Sequence, residues 1–143
     1  MKKIYLTLFL IGTLFGCGRE TLKPLIVKTS TGDIIYQVEV ADTDEKRTKG
    51  LMYREHMAPD SGMIFLFNET HPQPIAMWMK NTFISLDMLF VSKNNVIIGI
   101  AENTTPMSLK IISPTKEYVA AVVELNAGEV KKHGIKKGDK IVF

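Results

Sequence analysis

From Asp33 to Ala41 the chain reads DIIYQVEVA. Ile34, Tyr36, Val38 and Val40 fall on one side of an extended backbone, and Ile35, Gln37 and Glu39 on the other. A period of two fits a half-buried strand and not a helix, whose apolar positions recur every three to four residues. Short apolar runs of this kind return along the chain. LIVKTS precedes it across a Thr31-Gly32 turn, and GMIFLF at Gly62–Phe67 is apolar enough for burial on both faces. IAMWM at Ile75–Met79, LDMLFV at Leu86–Val91, VIIGIAEN after the Asn94-Asn95 turn, EYVAAVVEL and the closing GDKIVF also read as strands. Two stretches change period. Thr43 or Asp42 can cap a helix over Asp44–Lys49, with acids first and bases later, and Gly50 ends it. NAGEVKKHGI reads as a capped helical turn that stops at Gly134. Thr104–Pro114 has neither period. The pattern predicts a strand-rich α+β domain with long connections, and 143 residues allow one core rather than two.

The first residues follow a different rule. MKKIYLTLFLIGTLFGC has a charged start and an apolar run from Ile4 to Phe15. As a helix that run is about 18 Å long, short of a hydrocarbon core of about 30 Å, so it suits a signal-peptide core better than a stable span. Its end, Leu14-Phe15-Gly16-Cys17, resembles the lipobox of bacterial lipoproteins. The resemblance implies that residues 1–16 are removed and that the chain's one cysteine, Cys17, carries lipid and becomes the new N-terminus. It therefore implies a cell-envelope protein that partners a membrane through Cys17, and Gly18 rather than Asp after the cysteine favours an outer membrane where there are two. Residues 18–23, GRETLK, give a tether of about 20 Å, and Pro24 opens a folded part over residues 24–143. Without Lys2 and Lys3 the chain carries 16 basic and 15 acidic side chains, which argues against nucleic acid as a partner.

Four motifs in order are more specific than any one strand: KRTKGLMYRE, GMIFLF, MWMKNTFISLDMLFV and VVELNAGEVKKHGIKKGD. Together they resemble the DUF192 family (also called UPF0127) over about residues 25–143. The resemblance implies a compact, barrel-like β-sheet with one or two short helices, and it implies no activity.

Five polar residues sit inside apolar surroundings: Arg54, Lys80, Asn81, Asp87 and Glu124. Buried charges are costly unless paired, and two bases balance two acids, so one reading is an ion-pair network joining strands and helix end. The other is a pocket. There Lys80 and Asn81 present donors to an anionic or polyhydroxyl ligand, with Trp78 or Phe83 as an apolar wall. These residues point to binding of a small polar ligand, a glycan or an envelope protein rather than to catalysis. A hydrolase or transferase using Lys80 and Asp87 is the alternative, but no histidine lies in the motif and no nucleophile elbow appears, so no catalytic residue is assigned. Met77 and Met79 share a strand face and would suit Cu(I), although His56, His71 and His133 are scattered along the chain. Methionine also fills irregular cores, so no metal and no cofactor is expected. His71 and His133 read as exposed loop and helix-end residues. Lys131, Lys132, Lys136 and Lys137 form a solvated basic face that can lie against anionic headgroups.

Overall fold

The computed structural model describes residues 21–143. The leader, the lipobox and Cys17 lie outside the described residues. Seven strands form one sheet: β1 (Lys23–Thr29), β2 (Gly32–Ala41), β3 (Ser61–Leu66), β4 (Leu86–Val91), β5 (Ile97–Ala101), β6 (Ala121–Asn126) and β7 (Lys140–Val142). Their order across the sheet is β5-β4-β6-β3-β2-β1-β7. All neighbours are antiparallel except β2 and β3, which run parallel from Gln37↔Ser61 to Ala41↔Phe65. A parallel pair needs a crossover, and residues 42–60 supply it, with helix α1 (Asp44–Lys49) inside. At the far ends Val96 bridges Lys140, and the Ile97 amide donates to the Asp139 carbonyl at 2.9 Å. The sheet therefore almost closes into a barrel, as the family resemblance implied.

Closure gives the sheet an inside and an outside, and both are apolar over part of it. The inner core draws on every strand, including Leu25, Tyr36, Ile64, Leu89, Val123 and Ile141. A second core lies on the outer face of β3, β4 and β6, where Phe65, Met88 and Val122 meet Leu51, Ile75 and Met79 from the connections. This second layer explains why GMIFLF and LDMLFV are apolar at both parities: consecutive residues of these strands enter different cores. β2 lacks such a cover over most of its length. Its Tyr36 and Val38 are buried, while Ile35 and Gln37 are exposed, as the alternation predicts.

Both short helices form where the sequence places them. Thr43 caps α1, its hydroxyl accepting from the Lys46 amide at 3.2 Å, and Gly50 ends the helix with φ at 46°. A side chain at Gly50 would also press on the Phe65 ring, 3.0 Å from the position of its Cβ. The second helix, α2 (Glu129–His133), starts after Gly128, a left-handed residue with no side-chain cap, and stops at Gly134. One expected strand is absent. Ile75–Met79 makes only an isolated bridge, Met77 to Ile112. Ile75 and Met79 are buried and Ala76 and Trp78 exposed, so the alternation is real. It serves to lay a covering segment on the outer core, where no neighbouring strand extends the ladder.

Candidate functional site

β6 carries Ala121, Val123 and Leu125 into the barrel and Val122 and Glu124 to the outer face. Glu124 is paired with Met63 of β3 on one side and Met88 of β4 on the other. β3 comes unusually close at this point. A Cβ on Gly62 would lie 2.5 Å from the Glu124 carbonyl oxygen, so glycine is what permits the approach. Above this face, the covering segment and the end of α1 leave a cleft of about 460 Å³, within the size range of small-molecule sites. Glu124 lines it together with Leu51, Phe65, Ile75, Met77 and Trp78.

Glu124 is 4% exposed, and among the described residues its carboxyl has no hydrogen-bond or ion-pair partner. Every described side-chain nitrogen or oxygen that is fully shut off from solvent does have a partner. The unpartnered carboxyl must therefore touch the open volume of the cleft. Burial, with no nearby cation to oppose it, pushes its pKa from the ordinary 4.5 up to about 8. At neutral pH the group is mostly protonated.

Arg47, Asp44 and His71 of the wall are already engaged. Arg47 donates to the Leu66 carbonyl at 2.8 Å and to the Asp44 carboxylate at 2.7 Å, and its guanidinium stands 6.0 Å from the Phe67 ring centre. The same contact holds the Asp44 carboxyl below its usual range. His71 bonds to Asn68 through Nδ1, approaches Asp44 at 3.7 Å through Nε2 and packs edge-on against Phe67. It is a wall residue of the cleft and not the exposed loop histidine expected from HPQP. At the rim the Lys80 ammonium lies 5.3 Å from the centre of the half-exposed Trp78 ring.

Of the residues singled out in the sequence, the fold brings His71, Met77, Trp78, Lys80 and Glu124 to this cleft. The expected ion-pair network does not form. Arg54 pairs through both guanidinium nitrogens with Glu39 of β2. Asp87 is fully buried and accepts from three backbone amides, Asn103 at 2.8 Å, Gly128 at 3.0 Å and Val130 at 2.9 Å. It thus supplies the cap that α2 lacks locally. Its neighbours Leu86 and Met88 face the outer core, so Asp87 faces the opposite side of the sheet from Lys80, and the two form no acid–base pair. Asn81 adopts a left-handed turn with φ at 53°; its backbone carbonyl accepts from the Tyr53 backbone amide and its side-chain Nδ2 donates to the Tyr53 hydroxyl, both at 2.8 Å. Phe83 packs on Tyr53 and not on the cleft. Met79 is sealed in the outer core with Met77 packed against it, and among the described residues no three His, Cys, Asp or Glu side chains converge as a metal set. Arg47 and Asp44 carry no individual signal in the sequence, and His71 reads there as a loop residue, since helix charges and a loop histidine are ordinary surface features.

A family model for DUF192, described as "Uncharacterized ACR", matches residues 26–143. No curated protein matches the chain. Among solved structures, a protein of unknown function from Novosphingobium aromaticivorans is 35% identical, with a TM-score of 0.80 over 85% of each chain. A protein of Sinorhizobium meliloti, described there as a proposed transcription regulator, is 45% identical with a TM-score of 0.79, over 85% of this chain and 92% of that one.

Proposed function

Since the chain belongs to the DUF192 family, whose description names no reaction, we propose from the site alone that it is a binding module with a small polar ligand held in the Glu124 cleft. One observation carries this reading: a carboxyl that is almost fully buried, unpartnered among the described residues and open to a cavity. Folding gains nothing from such a group, and desolvating it costs free energy until something binds it. Of the two buried polar side chains that line the cleft, Thr82 is engaged with the Lys80 carbonyl, and Glu124 still has room for a partner.

The chain's only tryptophan, Trp78, stands at the rim. Its fluorescence therefore reports on the cleft without a label. A set of small polar compounds titrated against the protein is expected to contain members that shift this emission saturably, and that lose the effect in Glu124→Ala. If no compound does so, or if the hits bind Glu124→Ala as well as the wild type, the reading is wrong.

The leader supports a location for this module. With Leu14-Phe15-Gly16-Cys17 read as a lipobox, the domain is anchored by lipid on the cell envelope and meets its ligand or an envelope protein near the bilayer. Cys17→Ser is expected to move the protein from the detergent phase to the aqueous phase or to leave an unprocessed precursor. A wild type that takes up no labelled fatty acid would sink this assignment.

A further inference from the structure

We propose that the cleft takes an amphipathic organic cation, an ammonium group on a small apolar body, with the Glu124 carboxylate as its counter-ion. This rests on the cleft being a ligand site, as argued above, and it assigns the chemical class. The sequence alone pointed to an anionic or polyhydroxyl ligand through Lys80 and Asn81. The geometry points elsewhere.

A polyhydroxyl ligand needs donors and acceptors spread around its whole outline. Here Arg47 is taken up by Leu66 and Asp44, His71 by Asn68, and the Thr82 hydroxyl by the Lys80 carbonyl. Thr48, Lys49 and Lys80 are exposed, and the buried polar group that remains is one acidic point lining the cleft with Leu51, Phe65, Ile75 and Met77. An anion placed there would meet Glu124 directly. A cation would meet the one group whose desolvation nothing on the protein offsets, and its apolar body would lie against the surrounding side chains. Lys80 does not already fill this role. Neither Lys80 nor Arg47 forms an ion pair with the carboxyl, and Arg47 is held by Leu66 and Asp44. Lys80 instead rests on Trp78 at the rim, which shows that this ring accepts a cation on its face.

Binding of a cation requires Glu124 to give up its proton, so affinity is linked to pH. The charged and titratable groups that line the cleft besides Glu124 are Asp44, Arg47, Lys49, His71 and Lys80.

The test uses the purified full-length chain and Trp78 emission, with n-butylammonium, 1-butanol and butyrate as probes of one size and three charges. Butylammonium is expected to bind at least tenfold more tightly than butanol at pH 8, and butyrate not at all. Its Kd is expected to fall about tenfold per pH unit from pH 6 to 7 and to level off above pH 8. Glu124→Gln, which keeps the shape, is expected to remove both the preference and the pH dependence. If butanol binds as well as butylammonium, or if the Kd is flat with pH, the cleft stands and the cation assignment falls. A pH dependence that survives in Glu124→Gln does not come from Glu124 and also overturns the assignment. If none of the three probes shifts the emission saturably, this inference and the ligand-site reading fall together. The wild-type comparison of the three probes decides the matter even if the variant folds poorly.

Discussion

The Glu124 carboxyl makes stability depend on pH in a particular direction. Its folded pKa, about 8, lies above its ordinary 4.5, so the folded chain holds this proton more tightly than the unfolded chain. The contribution is fully present below pH 4.5 and is lost as pH rises through 8; 1.4 kcal/mol per unit puts the whole loss on the order of 5 kcal/mol. Glu124→Gln should match the wild type near pH 4 and be more stable than it by several kcal/mol at pH 9. Urea midpoints across that range check this, and parallel curves for the two proteins would show that the carboxyl is well solvated. Asp87 is the opposite case, a buried acid with every requirement met. Asp87→Ala orphans three amides at once and should cost about 3–5 kcal/mol, whereas Asp42→Ala, at an exposed site, should stay within about 0.5 kcal/mol. Similar small effects at both positions in guanidinium unfolding would mean that Asp87 does not hold the start of α2.

Among the elements, the β3–β6 ladder is the one on which the site depends. Gly62→Ala sets a methyl group against the Glu124 carbonyl, where backbone rather than a flexible side chain must yield. A loss of about 1–3 kcal/mol is expected, together with a changed Trp78 emission as the Glu124 segment shifts. A variant with unchanged melting and unchanged emission would show that the strands separate freely there. The same elements show how far the sequence could be read. α1 and β4 are set by local signals, a threonine cap and a two-sided apolar run, and they stand where those signals put them, while the β1–β2 turn falls at Ser30-Thr31, one residue before the Thr-Gly pair, with Gly32 already paired to Thr29. Ile75–Met79 has the alternation of a strand, but a strand also needs a neighbour, and neighbours are a property of the fold. The site was legible in the same partial way. Glu124 stood out as an acid in a Val-rich run, yet balancing it with Arg54 and Lys80 assumed that buried charges pair with one another. Arg54 found Glu39 on the row of β2 that looked solvent-facing, and Asp87 found backbone amides, which leave no mark in a pattern of side chains.

At the scale of the whole molecule, closure depends on the last few residues. β7 pairs with β1 through Ile26↔Val142 and Val27↔Ile141, and its first residue bridges Val96 beside β5. Removing residues 140–143 takes the buried Ile141 from the inner core, worth about 1.5–3 kcal/mol, and leaves β1 with an open hydrogen-bonding edge. The truncated chain should melt lower and should self-associate in sedimentation velocity, whereas an unchanged, monomeric protein would mean that the seam contributes little. The seam also sets an order in time. β1 is the first strand to leave the ribosome and β7 the last, and the two are neighbours in the finished sheet. A chain emerging from its N-terminus can form the β1–β2 hairpin early, but β1 keeps a bare edge until β7 has been made. The barrel therefore closes only once residues 140–142 are free to pair, and a chain that has made β1 to β6 alone has no closed form.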